Sequence, residues 1–175
     1  QGYSSAASDV YKRQAISPRV RKSIEKRYGM NINEIPMIYN GIDVNNFSPK
    51  DDYAQHDVFT CLHIGRFSEQ KNHIEMVLAL KKLIDAGEKI RFIFVGEGNL
   101  LGDIKEQVDK QHLTEYVIFA GTTGNVRPWF EKSDLFMLPS KWEGMPMTLI
   151  EAMSAAMPII ASNVGGVPDM LENER

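Results

Sequence analysis

Two carboxylates flank the predicted start of a helix late in the chain. Glu143 stands in the loop before this helix and Glu151 a little more than one turn inside it, with seven residues between them. Carboxylates that pointed at a bound phosphate would repel it, so this pair is better suited to accept hydrogen bonds from neutral hydroxyls, such as those of a sugar. The alternative, two surface glutamates beside a helix, is stronger for Glu151 alone than for the whole arrangement.

The helix start between these glutamates lacks a side-chain cap. Pro146 suits the first helical position, because its missing N–H group costs nothing there. Met145, the residue before it, offers no capping oxygen. The N–H groups of Met147 and Thr148 therefore need another acceptor, and a helix start of this kind can bind an external anion.

Two cations follow an earlier apolar run. Gly65 removes side-chain bulk where the predicted strand ends, and Arg66 and Lys71 then surround the start of the next helix. Positive side chains ahead of a helix oppose its dipole, so they need another justification. A bound polyanion such as a diphosphate supplies one; two solvated surface cations are the alternative.

Four glycine-containing loops are less specific. Asn40-Gly41 predicts a tight turn, because both residue types tolerate positive φ. Gly96 and Gly98 predict a strand-to-helix turn and lack the third glycine of a dinucleotide-binding fingerprint, which argues against a nicotinamide-dependent oxidoreductase. The loop at 119–126, with Thr122 and Thr123, is either a plain loop or a surface for a nucleobase. The segment 162–170 either faces a phosphate or is simply a turn.

These loops punctuate a regular alternation of strands and helices. Apolar runs that predict strands covered on both faces occupy residues 35–39, 58–65, 90–96, 116–121, 134–140 and 157–162. The first helical pattern covers Ser17 to Tyr28, with Pro18 suited to its first position and Gly29 placed to end it. Two more helices are indicated by apolar residues on one face, the first by Ile74, Val77, Leu80 and Ile84 and the second by Leu100, Ile104 and Val108. A shorter helix is predicted from Val126 to Lys132, and another begins near Pro146. The alternation predicts an α/β fold, a doubly wound parallel sheet whose ligands bind beyond the carboxyl ends of the strands.

The composition of the chain limits the classes of protein to which it can belong. The 175 residues, 43% hydrophobic and 25% charged, predict one globular domain, and the net charge of −3 argues against a nucleic-acid-binding module. The single Cys61 predicts a buried thiol and a reducing compartment. No apolar run approaches the roughly 18 residues of a membrane span, so we expect a cytoplasmic protein. His56, His63, His73 and His112 show no metal-ligand spacing.

The first 14 residues are small and polar and resemble a leader or junction segment, without a packed structure. We therefore expect the domain to cover residues 15–175. It would stop before the terminal helices of the complete fold.

From about Ser17 to Arg175, the chain resembles the C-terminal, nucleotide-sugar-binding domain of the retaining glycosyltransferase family 4, whose members have the two-domain GT-B fold. The motifs occur in the family's order: "NGID" (40–43), "GRFSEQK" (65–71), "VGEGN" (95–99), "LPSKWEGMPMTLIEAM" (138–153) and "PIIASNVGGVPDML" (158–171). The Glu-x7-Glu element is the most specific of them.

The resemblance implies a role for each matching residue. Arg66 and Lys71 would hold the donor diphosphate and, with Glu143 beside the sugar, form the catalytic group, while Glu151 would accept hydrogen bonds from the ribose. The backbone of Met145 and Met147 would lie near the sugar and the distal phosphate, and the backbone of Thr122 and Thr123 near the base. The full set of donor-binding residues would be Gly65, Arg66, Lys71, Thr122, Thr123, Glu143, Gly144, Met145, Met147, Thr148 and Glu151.

The implied donor is a UDP-sugar or GDP-sugar, and no metal or other cofactor is expected. The acceptor would be a glycan or a lipid-linked molecule bound through an N-terminal domain. The resemblance is compatible with peripheral attachment of the full-length protein to the inner face of a membrane. Pro146 and Ala156 stand where many relatives have glycine. The resemblance thus implies a sugar transferase in bacterial polysaccharide or glycoconjugate synthesis. The alternatives are a nucleotide-sugar epimerase or hydrolase of the same fold, and a non-catalytic nucleotide-binding module.

Overall fold

The computed structural model describes residues 14–47, 49 and 57–171. Most of the leader predicted at residues 1–14 therefore lies outside the described residues. The strands are β1 (Phe59–Ile64), β2 (Ile90–Val95), β3 (Val117–Gly121), β4 (Leu135–Leu138) and β5 (Ile159–Ala161). The α-helices are α1 (Pro18–Tyr28), α2 (His73–Asp85), α3 (Leu101–Lys110), α4 (Arg127–Glu131) and α5 (Met147–Ser154).

The five strands form one parallel sheet in the order β3-β2-β1-β4-β5. The chain adds β2 and β3 on one side of β1 and then returns to add β4 on the other side. Strand order therefore reverses between β1 and β4. Ligands of open parallel sheets bind beside such a reversal, at the carboxyl ends of the strands.

Helices cover both faces of the sheet, as the apolar strands require. On one face α2 and α3 pack through Val77, Leu80 and Ile104 against Phe92 and Phe94. On the other face α5 packs through Leu149 and Ala152 against alternate strand residues that include Leu62, Phe136 and Leu138. The doubly wound α/β fold is confirmed.

Local signals place α1 where the sequence predicts it. Ser17 is the N-cap, and its Oγ accepts a hydrogen bond from the N–H of Val20 at 3.3 Å. Pro18 is the first helical residue, and Gly29 ends the helix in the left-handed conformation with φ 62°.

The strand predicted at residues 35–39 is wrong. Within the described ranges this segment makes a single bridge, Ala15 with Met37. Ile35 is buried, but Ile38 and Tyr39 are each 53% exposed. An apolar run becomes a strand only where a neighbouring strand continues the hydrogen-bonded ladder, and this segment has one bridging residue instead.

The end of α5 explains the departure at Ala156. The N–H of Ala156 donates to the carbonyl of Met153 and the N–H of Met157 to that of Ala152, each at 3.0 Å. These are the two bonds of a Schellman motif, which requires a left-handed residue after the helix. Ala156 fills that position with φ 50°, so its Cβ is strained where glycine would not be.

Candidate functional site at the strand reversal

The loops that follow β1 and β4 meet at the reversal of strand order. The β1 loop carries Gly65, Arg66 and Lys71, and the β4 loop carries Glu143 and the start of α5. The parallel pairing of β1 with β4 places the carboxyl ends of both strands at the same edge. Two regions that the sequence separates by some 70 residues are thereby brought into contact.

Lys71 and Glu143 form a buried ion pair. The Nζ of Lys71 lies 2.5 Å from the Oε1 of Glu143, and the two side chains are 14% and 5% exposed. Burial makes such a pair sensitive to loss of either partner, since the remaining charge would be desolvated without compensation. Two residues that the sequence assigns separately to phosphate and sugar thus touch each other in this structure.

Gln70 ties the same two loops together. Its side-chain Nε2 donates to the carbonyl of Trp142 at 2.9 Å and lies 3.4 Å from the Oε2 of Glu143. Its backbone carbonyl accepts from the N–H of Lys141 at 2.8 Å. Asn72 adds a bond to the carbonyl of Pro139 at 3.2 Å.

The start of α5 lacks a side-chain cap, as predicted, but the helix begins one residue later than predicted. Pro146 is the N-cap, with φ −69° and ψ 123°, and Met147 is the first helical residue. Pro146 therefore lies outside the helical conformation, and its carbonyl accepts from the N–H of Leu149 at 3.1 Å. The hydroxyl of Thr148, in the first turn, is buried without a partner in the described part of the chain.

Asn40 supports this helix start from a distant part of the chain. Its Nδ2 donates to the carbonyl of Met145 at 2.9 Å, and its N–H lies 3.4 Å from the sulfur of the same residue. The tight Asn40-Gly41 turn predicted from the sequence is wrong: neither residue has a positive φ. The asparagine is instead used for a contact over 105 residues.

A Gly-Gly pair lets the loop after β5 approach the site. A Cβ on Gly165 would lie 1.6 Å from the carbonyl oxygen of Glu143, and one on Gly166 would lie 2.2 Å from that of Gly144. The N–H of Gly166 donates to the carbonyl of Gly144 at 3.0 Å. This segment packs on the backbone of the site and continues into a short 3-10 helix, Val167–Asp169.

Gly65 makes room for the ion pair. A Cβ on Gly65 would come within 2.9 Å of the Nε2 of His63 and 3.3 Å of the side chain of Lys71. Gly96 lies against Gly65 with φ 137°, and a Cβ there would lie 2.1 Å from the carbonyl oxygen of Gly65. The glycines at 65 and 96 are required by these close approaches.

Two buried histidines lie beneath Lys71. His63 shares a 2.8 Å hydrogen bond between Nδ1 and the carbonyl of Met137, and His73 stacks on Phe67 at 4.0 Å between ring centroids. Burial lowers the pKa of His63 to about 4 and that of His73 to about 3, and the charge of Lys71 acts in the same direction on both. Both imidazoles are neutral at neutral pH.

The side chains of Arg66, Glu151, Thr122 and Thr123 do not take part in this ion pair. Arg66 is exposed and forms no ion pair with any residue that the structure describes. Glu151, on α5, is partly buried, and burial raises the pKa of its carboxyl group. Thr122 and Thr123 are exposed after β3, two strands away from β1 at the same edge of the sheet.

The sequence did not single out Gln70 or Asn40. Gln70 is adjacent to Lys71, and Asn40 opens a motif that we interpreted as a turn. Their side chains matter through contacts across 72 and 105 residues, which no local pattern encodes.

The described residues contain no group of three or more His, Cys, Asp or Glu side chains arranged to hold a metal ion. None of their helices is long and apolar enough to cross a membrane. Cys61 is buried in the core, as predicted, and burial raises its pKa to about 12.

Residues 46–175 match the family described as glycosyl transferases group 1. The chain belongs to this family. A UDP-Gal:alpha-D-GlcNAc-diphosphoundecaprenol alpha-1,3-galactosyltransferase of Escherichia coli is 31% identical over 153 residues, which cover 81% of this chain and 40% of the relative. The N-acetyl-alpha-D-glucosaminyl L-malate synthase of Bacillus anthracis is 29% identical over 147 residues, which cover 80% of this chain and 38% of the relative.

This member of the family thus spans about two fifths of the length of these relatives. The crystal structure of Anabaena Alr3699/HepE in complex with UDP and glucose resembles it with a TM-score of 0.79 at 20% identity, over 91% of this chain and 46% of that one. This likeness confirms the Rossmann-like α/β fold.

Proposed function

We propose that this chain is the donor-binding half of a retaining glycosyltransferase, which transfers a sugar from a nucleoside diphosphate to a hydroxyl of its acceptor. One observation carries the proposal. At the reversal of strand order, the Lys71–Glu143 pair, whose atoms are 2.5 Å apart, lies in the loops beside a helix start without a side-chain cap. A cation, a hydroxyl acceptor and an anion-binding helix end are the groups that a sugar diphosphate requires.

In this proposal the diphosphate binds between the β1 loop and the start of α5. Arg66, which is exposed and has no described ion-pair partner, is available to a phosphate. Lys71 has three N–H donors and can bond a phosphate oxygen and Glu143 together. The N–H groups of Met147 and Thr148, with the backbone of Gly144 and Met145, complete the set of donors.

Catalysis would follow from electrostatic stabilisation of the leaving group. As the bond between the sugar and the diphosphate breaks, negative charge grows on the phosphate oxygen, and the cations of Arg66 and Lys71 together with the helix end stabilise it. Glu143 accepts hydrogen bonds from the sugar hydroxyls and fixes the sugar. The acceptor hydroxyl then attacks on the same face of the sugar and gives its proton to the phosphate oxygen that departs, so the new bond to the sugar replaces the broken one and the configuration is retained.

The nucleoside would extend along the carboxyl edge of the sheet. Neighbouring strands lie about 4.8 Å apart, so β1 and β3 are separated by roughly 10 Å. That separation suits a ribose between Glu151 and the β1 loop and a base near Thr122 and Thr123. The exposed backbone of this loop can follow the flat face of the base.

The comparisons support a UDP-sugar as donor. The galactosyltransferase from Escherichia coli carries UDP-Gal and a lipid diphosphate in its name, and Anabaena Alr3699/HepE was solved with UDP and glucose. We therefore propose a UDP-sugar as the donor of this protein, with a GDP-sugar as the alternative donor. The proposed acceptor is a glycan or a lipid-linked molecule.

Calorimetry with UDP and GDP tests the proposal in the native polypeptide that contains this chain. Arg66→Ala and Lys71→Ala should each weaken nucleotide binding by about tenfold or more, because each removes a charge-assisted bond to phosphate. Lys141→Ala is the matched control, since this exposed cation pairs with Glu69 in the neighbouring loops and should leave binding unchanged. Folded wild-type protein that binds neither nucleotide would refute the proposal.

Transfer assays test the chemistry separately. Glu143→Gln and Arg66→Ala should lower the transfer rate, and full activity in both would contradict the assigned site. Release of free sugar or of an epimer, without transfer to an acceptor, would identify a hydrolase or an epimerase instead.

A further inference from the structure

Gln70 contacts three consecutive residues of the loop that carries Glu143. Its backbone carbonyl accepts from Lys141 at 2.8 Å, and its side-chain nitrogen donates to the carbonyl of Trp142 at 2.9 Å. The same nitrogen lies 3.4 Å from the Oε2 of Glu143. Both side-chain partners are oxygens, so the amide nitrogen must face them, because the amide oxygen would be repelled.

The carboxylate of Glu143 is therefore held from two sides. Lys71 bonds Oε1 at 2.5 Å, while Gln70 faces Oε2. The side chain is 5% exposed, so water cannot readily replace a lost donor. Of these two donors, the side-chain amide of Gln70 is neutral. The backbone carbonyl of Gln70 is also hydrogen-bonded to the loop that carries Glu143, through the N–H of Lys141.

Donor binding would change the balance between these two contacts. A diphosphate carries more negative charge than one carboxylate and competes with Glu143 for the ammonium group of Lys71. The neutral amide of Gln70 is attracted to the diphosphate far less, so it stays in contact with Glu143. The contact with Gln70 is then the one that persists when Lys71 is shared.

We propose that Gln70 is a positioning residue, which keeps the carboxylate of Glu143 directed at the donor sugar while Lys71 binds the diphosphate. The inference rests on the proposed function. Gln70 acts through Glu143 and so affects recognition of the sugar, whereas recognition of the nucleotide depends on Arg66 and Lys71. The two kinds of recognition can be separated by comparing ligands with and without the sugar.

The test uses the native polypeptide and compares UDP with UDP-glucose and UDP-galactose by calorimetry, with GDP and GDP-mannose as the guanine pair. Gln70→Ala removes the amide. Gln70→Glu keeps its size but sets an oxygen against Glu143. Lys141→Ala is the control, because it removes another side-chain link between the same loops, the pair with Glu69 at 3.0 Å, without touching Glu143.

We expect Gln70→Ala to weaken binding of the nucleotide sugar about tenfold more than binding of the free nucleotide. Gln70→Glu should have a larger effect, because two carboxylates would face each other. The control should leave both affinities unchanged, and thermal unfolding should show that all variants are folded.

The inference is overturned if Gln70→Ala leaves the ratio of the two affinities unchanged, or lowers both by the same factor, as loss of loop support alone would do. Failure of the wild type to bind UDP and GDP is a different result, which overturns the proposed function and this inference with it.

Discussion

Replacing Lys71 by methionine should destabilise the protein through Glu143. The substitution keeps the length of the side chain but leaves a carboxylate that is 5% exposed without its cation. Loss of one partner of a buried pair typically costs 3–5 kcal/mol. Because Gln70 still faces Oε2 at 3.4 Å, we expect the lower end, about 3 kcal/mol, or about 9 °C in Tm for a domain of this size.

A double-mutant cycle isolates the pair. Lys71→Met, Glu143→Gln and the double variant are unfolded with urea, and circular dichroism gives the free energy of unfolding of each. Since the double variant buries no unpaired charge, it should be more stable than the sum of the single effects predicts, by about 2 kcal/mol. Additive effects would show that the two side chains are solvated separately, and the reasoning about their burial would then be wrong.

Three further predictions concern the surroundings of the site. Ala156→Gly should stabilise the protein by roughly 1 kcal/mol, because it relieves the left-handed φ of 50° at the end of α5; an unchanged or lower Tm would contradict this. Gly165→Ala should cost roughly 3 kcal/mol or more in urea unfolding, since its Cβ would lie 1.6 Å from a carbonyl oxygen, whereas Gly124→Ala, with nothing within 4 Å, should change little. Burial lowers the pKa of His63 and His73 to about 4 and about 3, from an ordinary value of 6.5, so the unfolded chain binds more protons below pH 6.5. The free energy of unfolding should then fall as the pH drops from 6.5 towards 4, by up to about 1.4 kcal/mol per pH unit for each histidine, and His73→Phe should flatten that fall in urea titrations.

The architecture could be predicted because its signals are local and repeated. Each strand of the sheet is an apolar run, buried most completely in β1 and β2, and each boundary of α1 carries its own cap. The run at 35–39 has the same composition as the strands, yet only Met37 forms a bridge, with Ala15. Whether an apolar run pairs depends on what lies beside it, which a single segment does not contain.

The site could be predicted as a set of residue types but not as a set of contacts. The sequence predicts Arg66, Lys71 and Glu143 as site residues, because each has a charge that a sugar diphosphate can use. Their chemistry did not reveal that Lys71 would bind Glu143, because the same charges would also fit two independent roles. The contact arises from the pairing of β1 with β4, and the order of the strands determines it.

That strand order also places the pair where ligands of open parallel sheets bind. The side-chain contacts of Lys71 and Gln70 join two loops at the reversal between β1 and β4. If the pair only stabilised the loops, well-packed apolar side chains of similar size could replace it with little loss. A Lys71→Met, Glu143→Leu double variant that folds stably but no longer binds a nucleotide would therefore separate the use of these charges from their contribution to the fold. A variant of this kind that bound UDP and its sugars as tightly as the wild type would show that the charges belong to the scaffold alone.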